Sequence, residues 1–159
     1  MTDVAPVRIV IAGPRDLPGV ISLMADAFDP RFGEAWSGSQ LVGALAIPDT
    51  WVQIALGPNG VLGFTLVRRI LDEAELMLVA VAPARRTQGL GRQLIEGALA
   101  QSHARGARSI FLEVRESNNA ACKLYQAAGF IEIGRRRDYY SGPKNERFDA
   151  ITLRRTVIE

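Results

Sequence analysis

The segment RRTQGLGRQLIEGAL, residues 85–99, joins a basic turn with two glycines to an apolar pattern that has helical spacing. Leu90, Leu94 and the apolar residues after them recur every three or four positions, which places them on one face of a helix. Glycine costs a helix about 1 kcal/mol relative to alanine, so Gly89 and Gly91 indicate a tight turn or a close approach of the backbone to another group. The segment therefore predicts a sharp change from strand to helix at this point of the chain.

The start of that helix is a candidate anion site. The first N–H groups of a helix have no partner within the helix and lie at the positive end of its dipole, which suits a phosphate. Arg85, Arg86 and Arg92 add positive charge. The turn lacks the lysine of a P-loop, and Leu94 stands where a GxGxxG motif has its third glycine. From these residues alone, a phosphate-binding turn and a plain strand-to-helix turn are equally good interpretations.

The composition predicts one globular domain over residues 1–159, with 48% hydrophobic and 23% charged residues. A net charge of +2, with arginines that are not interleaved with aromatic residues, does not indicate nucleic-acid binding. One histidine and the single cysteine, Cys122, predict neither a metal site nor a disulfide. We expect a cytoplasmic protein without membrane binding, since no apolar stretch approaches about 20 residues and the first residues do not resemble a signal peptide. The oligomeric state stays open.

Hydrophobic periodicity predicts more strands than helices, with helices inserted between some of the strands. This order is typical of an α/β protein with a mixed sheet, not of an alternating doubly wound fold. The continuous apolar run at 74–82 predicts a central strand that is covered on both faces. Helices are predicted from Asp16 to about Phe28, from Ser37 or Ser39 to before Pro48, from Leu90 to before Gly106, and from Asn118 or Asn119 to Gly129; strands are predicted at 7–12, 51–57, 61–70, 74–82, 109–115, 130–140 and 147–157.

Two motifs and the C-terminal segment carry a family resemblance. RTQGLG, residues 86–91, fits the pattern R/Q-x-x-G-x-G/A, and FLEVRESNNAACKLYQAAGF, residues 111–130, follows it at a matching distance. On these motifs the chain resembles the GNAT N-acetyltransferases, most strongly from about Glu75 to Arg155. The ending IGRRRDYYSGPKNERFDAITLRR, residues 133–155, resembles the RimI type within that family, the ribosomal-protein-alanine N-acetyltransferases.

The resemblance implies the GNAT fold, a central and mostly antiparallel sheet with one splayed pair of parallel strands, flanked by helices. It implies that acetyl-CoA binds in the splay, with the pyrophosphate on the glycine turn and the N–H of Val81 directed at the thioester oxygen. For Asn118, a plain helix cap explains the residue as well as a cofactor contact does. The implied cofactor-binding residues are Val79, Ala80, Val81, Arg86, Thr87, Gln88, Gly89, Leu90, Gly91, Arg92 and Asn118.

Glu113 and Tyr125 are the catalytic residues that the resemblance implies. Strand alternation puts Glu113 on one face with Phe111 and Arg115. The resemblance assigns Glu113 as the base, acting directly or through water, and an ion pair with an arginine is the alternative. Tyr125 falls on the buried stripe of a short helix, where a core tyrosine is the default interpretation. The resemblance instead places its hydroxyl near the sulfur of CoA, as the acid.

The acceptor that the resemblance implies is a protein N-terminus, specifically the alanine α-amine of a small-ribosomal-subunit protein. Trp36, Tyr139 and Tyr140 are the implied substrate-binding residues, in a groove between the loop after the first helix and the C-terminal strands. Two alternatives stay open: a GNAT enzyme that acetylates a small-molecule amine or a lysine side chain, and a non-catalytic acyl-CoA-binding module. The presence of both Glu113 and Tyr125 favours an enzyme.

Overall fold

The computed structural model describes residues 6–157 of the chain. Within this range the strands are β1 (Arg8–Ile11), β2 (Thr50–Gly57), β3 (Gly60–Ile70), β4 (Glu73–Val81), β5 (Ser109–Arg115), β6 (Ile131–Ser141) and β7 (Arg147–Thr156). The α-helices of the same range are α1 (Leu17–Ala27), α2 (Gly38–Leu45), α3 (Leu90–Ala104) and α4 (Asn119–Ala127). Helices thus interrupt the run of strands at three places, after β1, β4 and β5.

The strands form one sheet in the order β1-β2-β3-β4-β5-β7-β6. β4 and β5 run parallel, and the other neighbouring pairs within residues 6–157 run antiparallel. The parallel pairing is short, because it joins Glu73–Glu75 to Ser109–Phe111 and the two strands diverge beyond that point. The predicted α/β fold, a mostly antiparallel sheet with one splayed parallel pair, is confirmed.

A bulge in β4 at Met77 decides which face of the sheet each of its side chains serves. Leu66 of β3 lies opposite Leu78, and the next residue, Val67, lies opposite Leu76, so Met77 is one extra residue on β4. Leu76 therefore packs in the core beneath α3, whereas Leu78 packs in the core beneath α1. Both faces of this central strand are covered, as its apolar run predicts.

Helices cover both faces of the sheet. On one face, Ile95 and Ala98 of α3 pack with Tyr125 of α4 in a single core. On the other face, Val20 of α1 packs with Leu41 of α2. Within residues 6–157, no helix is both long enough and apolar enough to cross a membrane. The end of β4 lies between these two helical layers, at the place where β4 and β5 diverge.

The structure decides for Ser37 as the cap of α2, and it places Asp16 at the N-cap position of α1 as predicted, but without a side-chain bond to that helix. Ser37, not Ser39, caps α2: its Oγ accepts the N–H of Gln40 at 3.2 Å, and Gln40 Oε1 accepts the N–H of Ser37 at 2.7 Å. Asp16 immediately precedes α1, but its carboxylate accepts the N–H of Gly13 at 2.8 Å and caps no N–H of the helix. Pro14–Asp16 form a short 3₁₀ turn directly before α1, and the bond from Gly13 to the Asp16 carboxylate stabilises the start of that turn.

Candidate active site

A cleft of about 660 Å³ opens where β4 and β5 diverge. Its walls come from the end of β4, the glycine turn before α3, the start of α4 and the segment between α1 and α2. This volume is in the range of small-molecule binding sites. Of the residues predicted to bind the cofactor, those that line the cleft are Val79, Ala80, Val81, Arg86, Thr87, Gly89, Gly91, Arg92 and Asn118.

The edge of β4 presents main-chain hydrogen-bonding groups to the cleft. The N–H of Ala82 donates to Leu62 O at 2.8 Å, on the β3 side. Because successive backbone groups of a strand point to opposite edges, the N–H groups of Val79 and Val81 point to the β5 side. There the pairing with β5 has already ended. An extended ligand can therefore bind these groups as a neighbouring strand would.

The backbone conformation of the glycine turn and its free N–H groups suit the binding of an anion. Thr87 has a φ of 63° and Gly89 has a φ of 83°, both in the left-handed region. A β-branched residue is strained there, and such strain concentrates at ligand sites. Gly89 is the N-cap of α3 and has no side chain to cap the first N–H groups, which stay available. At Gly91 a Cβ would lie 3.1 Å from Leu124 Cδ2, so α3 and α4 approach closely beside the turn.

Two arginines of this region also anchor the walls of the cleft. Arg86 Nη2 donates to Ala27 O at 2.6 Å, and Arg92 Nη1 donates to Ala127 O at 2.8 Å. Ala27 and Ala127 are the last residues of α1 and α4, where a cation is favourable because the carbonyl ends of the helix dipoles lie there. These guanidinium groups therefore have a structural role that the sequence did not indicate.

Gln88 and Leu90 are predicted cofactor residues whose side chains point elsewhere. Gln88 Oε1 accepts a hydrogen bond from Arg85 Nη1 at 3.3 Å, and Leu90 is 5% exposed and packs in a core cluster. Only their main-chain groups belong to the turn. Asn118 lines the cleft and also caps α4, since its Oδ1 accepts the N–H of Ala121 at 3.2 Å. The helix-cap interpretation of Asn118 is confirmed, and its cofactor contact stays a prediction.

Tyr125 lines the cleft while its ring belongs to the core. The residue is 5% exposed, and its ring meets Phe130 edge to face with the centroids 5.7 Å apart. Burial raises the pKa of Tyr125 well above its ordinary value, with smaller contributions from Cys122, Glu34 and Tyr140. The hydroxyl is therefore protonated at neutral pH and can donate a proton to an anion that forms beside it.

Glu113 lies on β5 beside the cleft, outside the set of residues that line it. The predicted alternation holds, because Phe111, Glu113 and Arg115 face away from the core that covers the other side of β5. The side chain of Glu113 is 28% exposed, and its Oε1 lies 3.0 Å from Arg136 Nε. The ion pair that was the alternative interpretation is thus present, with Arg136 as the partner.

None of the three predicted substrate-binding residues is among those that line the cleft. Tyr139 is 52% exposed, and its ring meets that of Tyr140 at 90° with the centroids 5.1 Å apart. Burial raises the pKa of Tyr140 to about 12, and the charges of Glu34 and Glu113 contribute. Trp36 packs against the core beneath α1 and α2. The substrate-binding role of the three residues therefore stays a prediction, and the packing of Trp36 gives it a supporting place in its loop.

Sequence reasoning placed the loop from Arg31 to Trp36 beside the substrate groove but assigned no role to the carboxylate of Glu34 within it, nor to Glu75. Glu34 lines the cleft and pairs with Arg115 at 3.3 Å, a contact between positions too far apart in the chain for any periodicity to reveal. Glu75 lies on β4, and burial raises its pKa, opposed by Arg68 and assisted by Glu113. Glu75 is the last of three carboxylates that precede the apolar run, after Asp72 and Glu73, so the sequence did not single it out.

Comparison with known proteins identifies the family. Residues 19–130 match the model of the acetyltransferase (GNAT) family. The ribosomal protein bS18-alanine N-acetyltransferase of Haemophilus ducreyi is 38% identical over 95 residues, which cover 60% of this chain and 66% of that protein. The protein of the same name from Escherichia coli K12 is 40% identical over 106 residues, 66% of this chain and 71% of that protein. These matches span about two thirds of the length of the two relatives.

A solved structure extends the likeness to nearly the whole fold. The crystal structure of the ribosomal-protein-S18-alanine N-acetyltransferase from Escherichia coli superimposes with a TM-score of 0.86 at 30% identity. The superposition covers 97% of this chain and 96% of that chain. The resemblance noted in the sequence, to the GNAT enzymes and to their RimI type, is confirmed, and so is the predicted class of enzyme. The chain belongs to the acetyltransferase (GNAT) family.

Proposed function

We propose that this protein transfers the acetyl group of acetyl-CoA to the α-amine of a protein N-terminus, with an alanine-initiated ribosomal protein as the acceptor. The observation that carries the proposal is the cleft between the diverging strands. It brings together the open edge of β4, the uncapped start of α3 and the hydroxyl-bearing Tyr125. The relatives named as ribosomal protein bS18-alanine N-acetyltransferases support the choice of acceptor.

The donor site of this proposal uses main-chain groups more than side chains. The pyrophosphate would bind the backbone N–H groups from Thr87 to Arg92, including those of Gln88 and Leu90, whose side chains point away. The pantetheine arm would lie along the edge of β4, beside Val79 and Val81. Asn118 borders the same cleft and adds an amide. A ligand that binds main-chain groups must come close to the backbone, and the glycines of the turn leave room for that approach.

The proposed reaction is a direct transfer without a covalent enzyme intermediate. The neutral amine attacks the carbonyl carbon of the thioester, the N–C bond forms, and the C–S bond breaks. The proton that leaves the nitrogen goes to Glu113, directly or through water, and the departing thiolate takes a proton from Tyr125. The N–H of Val81 stabilises the developing oxyanion, a role that is worth about 3 kcal/mol in other enzymes.

An N-terminal acceptor makes a modest demand on the base. A peptide α-amine has a pKa of about 7.8, so roughly a quarter of it is neutral at about pH 7.4, whereas a lysine with a pKa of about 10.4 is about 0.1% neutral. The difference corresponds to about 3.5 kcal/mol. The exposed and ion-paired Glu113 is therefore better suited to an α-amine than to a lysine side chain.

The acceptor would enter between the segment after α1 and the turn between β6 and β7. Tyr139 and Tyr140, whose rings meet edge to face, would offer an aromatic surface there, and Trp36 packs beneath the facing loop. A ribosomal protein is synthesised in the cytoplasm, so the proposed acceptor places the enzyme in that compartment.

The first test is a thiol-release assay with acetyl-CoA. It compares a short peptide that starts Ala-Arg and contains a lysine with the same peptide blocked at its N-terminus, and with a panel of small amines. We expect release with the free N-terminus and not with the blocked peptide. Equal release from both peptides would assign the activity to lysine, and release with small amines alone would overturn the proposed acceptor. Absence of release with every amine would favour a non-catalytic acyl-CoA-binding module.

A further inference from the structure

Glu34 is a carboxylate of the cleft to which the proposed reaction gives no role. It lies in the segment between α1 and α2, and it lines the cleft together with Tyr125 and Val79. Its side chain is 19% exposed, so it is largely shielded from solvent but open to the cleft. A carboxylate in such a place needs either a permanent cation or a ligand, because burying an unpaired charge is costly.

Arg115 fixes the position of Glu34 without using all of its hydrogen-bonding capacity. Arg115 Nη2 lies 3.3 Å from Glu34 Oε1, and the arginine side chain is 9% exposed. The guanidinium carbon of Arg115 also lies 3.6 Å from the ring centroid of Phe32, and Nη1 donates to Ser117 Oγ at 2.5 Å. The segment that carries Glu34 is thus held to β5 by a stacked, buried arginine. Glu34 Oε2 is left for a further donor, as far as the partners within residues 6–157 go.

The charge of Glu34 acts on the groups that surround the acceptor path. It contributes to the raised pKa of Tyr125 and, after burial, is the largest contributor to the raised pKa of Tyr140. Glu113 acts on Tyr140 as well. Glu34 thus shares the lining of the cleft with Tyr125, the proposed acid, and its charge also acts on Tyr140, the proposed acceptor contact.

We infer that Glu34 binds the ammonium form of the acceptor's α-amine at the entrance of the cleft, and that it thereby selects acceptors with a free N-terminus. This inference rests on the proposed function. Most of an α-amine is an ammonium ion near neutral pH, and a carboxylate that is already positioned binds it by a charge-assisted hydrogen bond. The ammonium first releases one proton to solvent, and Glu113 takes the second proton when the neutral amine attacks, as in the proposed reaction. Glu34 is a specificity-determining residue in this scheme, and Glu113 keeps the role of base.

The test is the substitution Glu34→Gln, which keeps the size of the side chain and an oxygen for Arg115 while removing the charge. At about pH 6.5, where the α-amine is an ammonium ion, we expect the KM for an Ala-initiated peptide to rise about tenfold. At about pH 9, where most of the amine is neutral, the KM should approach that of the wild type. The KM for acetyl-CoA and the kcat should change little at either pH. Glu34→Asp retains the charge and should retain most of the affinity at the lower pH.

Glu73→Gln is the matched control, because Glu73 also has an arginine partner, Arg154, at 3.3 Å and lies at the far end of β4. It should leave the KM for the peptide unchanged at both pH values. If Glu34→Gln raises the KM equally at both pH values, Glu34 merely holds the loop, and the inference is wrong; an unchanged KM also contradicts it. In either case the wild type would still acetylate the peptide, and the proposed function would stand. A wild type that does not acetylate the peptide at all would overturn both together.

Discussion

At Tyr125, burial is the main cause of the protonation state, and nearby groups such as Glu34 add to it. The ring packs edge to face on Phe130, and removal from water raises the pKa of the hydroxyl. A phenol in this condition stays protonated at neutral pH, so its O–H can donate to an anion, such as a thiolate, that forms next to it. The core tyrosine that helical spacing predicts and the acid that the resemblance implies are thus compatible, since the same residue packs on Phe130 and lines the cleft.

Tyr125→Phe should lower kcat about 100-fold, because general acid catalysis is typically worth at least that factor. The KM for acetyl-CoA and the melting temperature should change little, because phenylalanine preserves the packing on Phe130. Thiol release at saturating acetyl-CoA measures the first quantity, and a thermal melt measures the last. Turnover at the wild-type rate with a good acceptor would show that Tyr125 is only a core residue.

Glu113→Gln should lower kcat at neutral pH while the affinity for acetyl-CoA stays nearly intact, because the glutamine cannot take a proton from the amine. Arg136→Met is the matched control, since it removes the same ion pair and keeps the carboxylate. A base role predicts a large loss for the first variant and a small one for the second. Equal losses in steady-state assays would mean that the ion pair, not proton transfer, is what matters.

Among the elements, α2 shows how much a local signal can predict. The sequence left Ser37 and Ser39 as candidate caps, and the reciprocal bonds between Ser37 and Gln40 decide for the first. The bulge of β4 could not be predicted in this way. Its surroundings are apolar on both sides of Met77, so no alternation of polar residues records the change of face.

Ser37→Ala should destabilise the protein by about 1 kcal/mol, because the N–H of Gln40 loses its acceptor. For a chain of this size that corresponds to a fall in Tm of about 2–4 °C. Ser39→Ala is the control and should leave the Tm nearly unchanged, since Ser39 is exposed within α2. A calorimetric scan of both variants compares them directly, and equal Tm values would contradict the assignment of the cap.

Across the whole molecule, patterns local in sequence predicted well and contacts between distant segments did not. Periodicity and turn residues were enough for the strands, the helices and the mixed sheet. The glycine turn and the strand that bears Glu113 followed from short motifs. The pairing of Glu34 with Arg115 brings together the segment after α1 and the end of β5, which share no pattern in the sequence. Likewise, the carbonyl partners of Arg86 and Arg92 exist only once the helices have docked.

Stability should fall at alkaline pH. Burial raises the pKa of Tyr125, and it raises that of Tyr140 from 10.0 to about 12. The folded state favours the protonated phenols, so they contribute to the free energy of unfolding. This contribution is complete below pH 10, the pKa of a free tyrosine. For Tyr140 it is lost as the pH rises through about 12. Melts between about pH 8 and pH 11.5 should show a declining Tm, and Tyr140→Phe should decline less steeply. Parallel curves for the two proteins would contradict this assignment.

The short seam between β4 and β5 divides the sheet into two halves that share little main-chain pairing. A thioester donor that lies in the gap would form hydrogen bonds where β4 and β5 do not pair, and it would thereby link the two halves of the sheet. A ligand at 100 times its Kd adds about 2.7 kcal/mol to the stability of the state that binds it. Cellular proteases attack open forms in proportion to their population. The lifetime of this protein should therefore follow the carbon supply of the cell, longer when acetyl-CoA is abundant and shorter during starvation.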